Sequence, residues 1–222
     1  MNTAILFLIF NRPETASQVF KKIRLARPPR LYVACDGPRN NHSTDIEMVR
    51  LTRDLVTKVD WPCNIKTLFR DHNLGCKKAV SSAIDWFFEK EEQGIILEDD
   101  CVPHLDFFNF CEKLLNYYKN DKRVFTITGV NFQNEKWRGE ASYYFSKFNH
   151  CWGWATWKRS WSFYQGEYFL FGQNGKIHLH GLNTHLTELR ENIGEIYLIL
   201  FMKIRLIVGP ILGWQAYGIK VD

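Results

Sequence analysis

Gly94-Ile95-Ile96-Leu97-Glu98-Asp99-Asp100-Cys101-Val102-Pro103 is the stretch from which the fold of this 222-residue chain is read. An apolar run leads straight into three carboxylates, and Pro103, which lacks a backbone N–H, stops the strand and favours a turn or helix start. Such a run suits a strand covered on both faces, as in a parallel sheet. It then delivers its acids to a carboxyl edge, where open α/β sheets bind their ligands. Acids this close repel one another and raise each other's pKa unless a cation or solvent compensates. A divalent ion is the simplest compensation. Hard carboxylate oxygens suit Mg²⁺ or Mn²⁺, which take one or two protein carboxylates and fill their other positions with water and phosphate. The competing reading is a solvated acidic loop.

Outward from that strand, the chain has the length of one domain with a substantial core. Its hydrophobic fraction of 45% and aromatic fraction of 15%, with 8 Trp, 9 Tyr and 17 Phe, argue against disorder and favour aromatic surfaces that stack on sugars or bases. A formal charge of +5, with no dense basic tract, suits an anionic substrate or membrane surface and is too diffuse to indicate nucleic acid. Cys35, Cys63, Cys76, Cys101, Cys111 and Cys151 make no C-x-x-C pair and no metal-ligand spacing, so they read as reduced, mostly buried thiols. Ala4–Phe10 is apolar but has no basic region before it and is cut by Asn11-Arg12-Pro13, so it reads as a first core strand rather than a signal peptide. The expectation is a cytoplasmic protein, with peripheral association at the inner membrane face as an option.

Strands and helices alternate along the chain. After Ala4–Phe10, Asn11 is placed to cap and Pro13 to open a helix faced by Val19, Phe20 and Ile23. Arg12 then stands at the carboxyl end of the first strand beside a helix N-terminus, where a phosphate is welcome. Leu31–Cys35 reads as a second buried strand ending at Asp36-Gly37-Pro38. Asp36 repeats the placement of Arg12; it can accept hydrogen bonds from a ribose or base edge, or be an ordinary turn aspartate. Thr44-x-x-Glu47 reads as a capping box, opening a helix whose core face is Met48, Leu51, Leu55 and Val59 with Val49 and Val56. Asn64–Phe69 alternates as a third strand. Asn73-Leu74-Gly75-Cys76-Lys77-Lys78 enters a helix faced by Val80, Ala83, Ile84, Phe87 and Phe88. Gly75 permits a close backbone approach, and lysines in a first turn oppose the helix dipole and invite an anion. The bland counterpart is a turn with two solvated lysines.

Beyond the acids, Leu105–Tyr118 reads as a helix and Val124–Thr128 as a fifth strand, and the alternation argues for an α/β sandwich. Residues 133–140 read as a surface loop. His150–Trp161 holds four tryptophans, more than a core needs. Of these, Trp152 and Trp154 are assigned to ligand contact, and Trp157 and Trp161 to the buried face of a short helix. His178, His180 and His185 follow no ligand spacing. Residues 193–212 are apolar but interrupted by Glu195, Lys203, Arg205 and Pro210, so they fall short of a membrane span and suit a strand or helix on the sheet, or an interfacial segment.

Taken together, FNRPE (Phe10–Glu14), ACDGPR (Ala34–Arg39), HNLGCKKAVSSAIDWFF (His72–Phe88), ILEDDCVP (Ile96–Pro103) and HCWGWATWKRSW (His150–Trp161) resemble bacterial family-2-like glycosyltransferases that use nucleoside-diphosphate sugars and have the GT-A fold. More distantly they resemble the N-acetylglucosaminyltransferase that initiates complex N-glycans. The likeness covers about residues 3 to 165, with the motifs in family order. It implies a Rossmann-like α/β/α sandwich with a mixed, mainly parallel central sheet. Residues 1–165 would be the nucleotide-sugar-binding core and 166–222 an acceptor-side segment. Glu98-Asp99-Asp100 would stand at the family's Asp-x-Asp position, with Asp100 on Mn²⁺ or Mg²⁺ and Glu98 and Asp99 on the donor. Arg12 and Lys77 would face the diphosphate and Asp36 the base or ribose, with Asn11, Asn73 and Gly75 also on the donor. Gly153-Trp154 would lie near the transferred sugar and acceptor, with Trp152, assigned to ligand contact above, also on the donor. The implied activity is metal-dependent transfer of a sugar, with inversion, to a hydroxyl of a glycan or lipid-linked acceptor in cell-surface glycan synthesis.

The sequence departs from the family pattern in one place. Relatives carry a late aspartate in a Trp-Asp-rich segment that deprotonates the acceptor, whereas Gly213-Trp214-Gln215-Ala216-Tyr217 has no acid. The base is then Glu188, Glu191 or Glu195, or the segment after about residue 166 has diverged or is truncated. Two other readings stand beside transfer. A sugar-phosphate nucleotidyltransferase shares the sheet and the metal but opens with a glycine-rich phosphate loop, which this chain lacks. A nucleotide-sugar-binding protein without turnover is the other.

Overall fold

The computed structural model describes residues 1–56, 58–130, 142–146 and 149–164, together with the backbone of two later strands. The elements are β1 (Ala4–Ile9), α1 (Pro13–Ala26), β2 (Arg30–Cys35), α2 (Asp45–Val56), β3 (Asn64–Phe69), α3 (Cys76–Phe88), β4 (Gln93–Glu98), β5 (Cys101–Val102), α4 (Leu105–Tyr117), β6 (Val124–Thr128), β7 (Tyr143–Ser146), β8 (Trp154–Trp157), α5 (Lys158–Trp161), β9 (Tyr197–Phe201) and β10 (Ile207–Val208). Eight strands form one sheet in the order β3-β2-β1-β4-β8-β6-β9-β7, and β10 pairs with β5 apart from it. The β3-β2-β1-β4 half is parallel throughout, as is the β6-β9 pair, while β8 and β7 run antiparallel to their neighbours. The fold is therefore the expected α/β sandwich, Rossmann-like, on a mixed and mainly parallel sheet. Of the options for residues 193–212, a strand is realised, since β9 lies inside the main sheet between β6 and β7.

The period-2 alternation of side chains divides each central strand between two cores. Ile5, Phe7 and Ile9 of β1, Leu31 and Val33 of β2, and Ile95 and Leu97 of β4 face Val19 and Ile23 of α1, Val49 and Val56 of α2, and Phe107, Phe108 and Leu115 of α4. Ala4, Leu6 and Leu8, Tyr32 and Ala34, and Ile96 face Ala83, Ile84, Phe87 and Phe88 of α3. Both faces being covered explains why these strands read as unbroken apolar runs. Each fully buried large side chain contributes about 1.5 to 3 kcal/mol of transfer free energy.

The strand order places the site. From β1 the chain steps outward to β2 and β3, then crosses back over both to lay β4 on the other side of β1. The order reverses between β1 and β4, and a crevice opens outside the carboxyl ends of strands at such a switch point.

Several local expectations are corrected by packing. Asn11 does not cap α1: the cap position is Arg12, without a side-chain cap hydrogen bond, and Pro13 opens the helix. The Asn11 amide donates instead to Asp45 Oδ1 at 2.8 Å. Glu47 does not reach back as a capping box would, because its carboxylate is engaged by Arg50 one turn on. The core face of α2 is Val49, Thr52 and Val56, and Leu51 is exposed. Trp157 ends strand β8 rather than starting a helix, and only Trp161 is helical. The cysteines are all free, but Cys76 and Cys151 are exposed and Cys63 half-buried, so only Cys35, Cys101 and Cys111 match the expected buried thiols.

Candidate functional site

The three acids leave β4 at the switch point, and each has a different environment. Asp99 turns inward, its side chain 3% exposed, accepting from the Phe10 backbone N–H at 3.1 Å and from Arg12 Nη2. Asp100 is half-buried, with Oδ2 accepting from Arg12 Nη1 at 3.1 Å and Oδ1 from the Cys101 thiol at 3.5 Å. Glu98 is half-buried, and its side chain makes no hydrogen bond or ion pair among the described residues. Burial above all, then the charges of Asp100 and Asp99, push the Glu98 carboxyl up to about 7 against the pull of Arg12. Burial likewise pushes Asp99 up to about 6, although Arg12 and the Phe10 amide pull it down. Burial disfavours the Arg12 cation, yet Asp99 and Asp100 hold its pKa above the ordinary value.

Arg12 thus supplies part of the compensation that the sequence alone assigns to a metal. Among the described residues, no set of three or more His, Cys, Asp or Glu side chains is arranged to hold a metal ion. The donor set nevertheless suits Mg²⁺ or Mn²⁺. One guanidinium stands beside three acids, the Asp100 side chain stays 24% exposed, and these ions need only one or two carboxylates when phosphate and water complete the shell.

Asp36 is engaged by the backbone of the neighbouring loops. It is 8% exposed, and its carboxylate accepts from the backbone N–H groups of Gly37, Leu74 and Gly75 at 3.0 to 3.1 Å. The loop after β2 is thereby fastened to the loop before α3. Asn73 closes the same joint, donating to Gly37 O at 2.8 Å and accepting from Gly75 N at 3.1 Å. A Cβ on Gly37 would come within 2.5 Å of His72 N, so only glycine lets these loops touch. Gly75 caps α3 at a φ of 78°, which favours glycine, and its N–H is already taken by Asp36 and Asn73. Lys77 and Lys78 are exposed in the first turn of α3.

The approach to β8 also reaches this edge of the sheet. Ile96 of β4 pairs with Trp154, so the turn Cys151-Trp152-Gly153 reaches the carboxyl end of β4, with Gly153 at a φ of 75°. Trp152 is 47% exposed, whereas Trp154 is 8% exposed and packs in the α3 core, leaving Trp152 as the indole at the surface. Cys151 is exposed as a residue, but partial shelter of its thiol first, and then nearby Glu98, Asp100 and Cys76, push that thiol up.

Sequence reasoning passed over two residues here. Asp45, 1% exposed at the start of α2, gathers Asn11 and the Arg39 guanidinium, at 2.7 and 2.9 Å, and so anchors the β1 exit. Arg39 in turn stacks on Phe10 at 5.5 Å. An acid in a first helical turn was visible as a signal, but its partners were not. Glu188, Glu191, Glu195, the histidines at 178, 180 and 185, Gly213–Tyr217 and the loop 133–140 lie outside the described residues.

No protein-family model and no curated protein matches the sequence. Among solved structures, the chain is similar to a UDP-glucose pyrophosphorylase complexed with UDP-glucose, at 11% identity over 92% of this chain and 93% of that one, with a TM-score of 0.49. It is similar to HddC from Yersinia pseudotuberculosis at 11% identity over 94% and 95% of the two chains, TM-score 0.49. It is also similar to 4-diphosphocytidyl-2C-methyl-D-erythritol synthase from Anaerococcus prevotii, at 8% identity over 90% and 89%, TM-score 0.49.

Proposed function

We propose that this chain is a divalent-cation-dependent glycosyltransferase that moves a sugar from a nucleoside-diphosphate sugar to an acceptor hydroxyl on a glycan or lipid-linked acceptor. The observation that carries this reading is the pairing of Arg12, just after β1, with Asp99 and Asp100, just after β4 and beside Glu98, at the reversal of strand order. The direct passage from β1 through Asn11-Arg12 into α1, without a glycine-rich phosphate loop, favours sugar transfer over nucleotidyl transfer. No helix among the described residues is long and apolar enough to cross a membrane.

In this reading Asp100 holds Mn²⁺ or Mg²⁺, which would supply Lewis-acid compensation for the departing diphosphate. Arg12 adds a second positive charge on the same side of the bond that breaks. Asp36 and Asn73 keep the Gly75 turn and Lys77 beside the crevice, and the Trp152 face stacks against the sugar. The acceptor oxygen bonds to the anomeric carbon as the carbon–diphosphate bond breaks, inverting that centre. The hydroxyl proton passes to a base, for which Glu188, Glu191 and Glu195 are the candidates.

Incubation with UDP-, GDP- and dTDP-sugars, with and without Mn²⁺, tests the proposal by following free nucleoside diphosphate. Release that depends on Mn²⁺ supports it. Release of pyrophosphate from a nucleoside triphosphate and a sugar 1-phosphate would replace it with nucleotidyl transfer, and tight donor binding without any release would leave a binding protein.

A further inference from the structure

The two arms of the Arg12 guanidinium are unequally held. Nη2 pairs with Asp99, whose side chain is 3% exposed and is also fixed by the Phe10 amide. Nη1 pairs at 3.1 Å with Asp100, whose side chain is 24% exposed and whose other described hydrogen bond is to the weak thiol donor of Cys101. The Arg12 side chain itself is 42% exposed, on the solvent side of the acids. The Asp100 arm is therefore the one that can be broken without opening the core. It also covers the carboxylate that the functional reading gives to the cation.

Resting on that reading, we infer that Arg12 is a resident counter-ion that competes with the divalent cation for Asp100 and turns toward the donor's diphosphate when the cation arrives. A guanidinium and a divalent ion on one carboxylate repel each other, and at such separations like-charge repulsion is worth about tenfold or more in affinity. The exchange couples two ligands. A diphosphate that draws Arg12 away tightens cation binding, and by reciprocity the cation tightens diphosphate binding by the same factor. In the absence of both, Arg12 keeps Asp99 and Asp100 from facing each other unscreened.

The test is titration with Mn²⁺ alone, read by electron paramagnetic resonance of the free ion, on wild-type protein and on Arg12→Gln, Arg12→Lys and Asp100→Asn. Arg12→Gln, which can still hydrogen-bond Asp99, is expected to bind Mn²⁺ about tenfold more tightly than wild type. Arg12→Lys keeps the charge but not the fork that reaches both carboxylates, and is expected between wild type and Arg12→Gln. Asp100→Asn should lose the site. Arg12→Gln binding no more tightly than wild type overturns the competition while leaving a cation site in place. Mn²⁺ binding to none of the proteins removes the cation from the proposed function and the competition with it. A second measurement needs no variant: the Arg12 side-chain N–H resonances of the ¹⁵N-labelled wild type should shift on adding Mg²⁺, and resonances unmoved at saturation contradict the exchange.

Discussion

Arg12 and Asp99, 87 positions apart in the chain, are ion-paired across the point where the strand order turns back on itself. The pair ties the exit of β1 to the exit of β4, and the Phe10 N–H donates to the same carboxylate. Removing the buried acid leaves that N–H and one guanidinium arm without their acceptor. Asp99→Ala should therefore lower the unfolding free energy by about 2 to 3 kcal/mol in urea denaturation. A loss below about 0.5 kcal/mol would mean that the pair does not hold the switch point together.

Asp45 gives the fold an acid-sensitive joint. The Arg39 guanidinium first, with further hydrogen bonds from the Arg39 backbone and Asn11, holds its carboxyl well below the usual carboxylate range in spite of burial. A depressed folded-state pKa stabilises above the unfolded-state value, near 4, and that stability is lost as pH falls below it. Asp45→Asn should thus cost about 1 to 2 kcal/mol at pH 7, with the gap to wild type narrowing toward pH 3. Denaturation at both pH values checks this, and a gap that stays constant contradicts it.

Asp36 is expected to matter through the loop it fastens. Asp36→Ala deletes the acceptor for three backbone N–H groups, and amide hydrogen exchange at Leu74 and Gly75 should quicken by about tenfold or more. Exchange at these amides unchanged from wild type would show that the loop holds without it.

The tryptophans should separate into two effects. Trp157 is 3% exposed, donates from Nε1 to Leu115 O at 3.1 Å and carries Arg159 over its ring at 4.4 Å, so Trp157→Ala should cost about 3 to 5 kcal/mol of stability. Trp152→Ala should cost under about 1 kcal/mol yet weaken binding of the nucleotide sugar that the wild type accepts. Thermal melts and donor titrations on both variants distinguish them; equal stability losses would place Trp152 in the core.

How far the chain was legible follows from where each residue finds its partners. β1, β2 and β4 were readable because burial on both faces leaves a continuous apolar run, and the acids after Leu97 marked the carboxyl edge of the sheet. Arg12 and Asp36 were found by position, but their contacts come from strands and loops distant in sequence, so their partners were invisible. Trp154 looked like a ligand contact because Trp152-Gly153-Trp154 is dense in indole. In β8 it pairs with Ile96 of β4, and its side chain turns into the α3 core. Leu51 fitted a helical stripe that the actual rotation of α2 leaves in solvent, with Thr52 buried in its stead.

Isothermal titration of UDP-, GDP- and dTDP-sugars into wild-type protein and Asp100→Asn, each with and without Mn²⁺, tests the central claim most directly. The account predicts that one nucleotide class binds the wild type, that Mn²⁺ strengthens this binding by about tenfold or more, and that Asp100→Asn loses the gain while melting within a few degrees of wild type. Nucleotide sugars that fail to bind in any condition, or that bind both proteins alike whether or not Mn²⁺ is present, would contradict it.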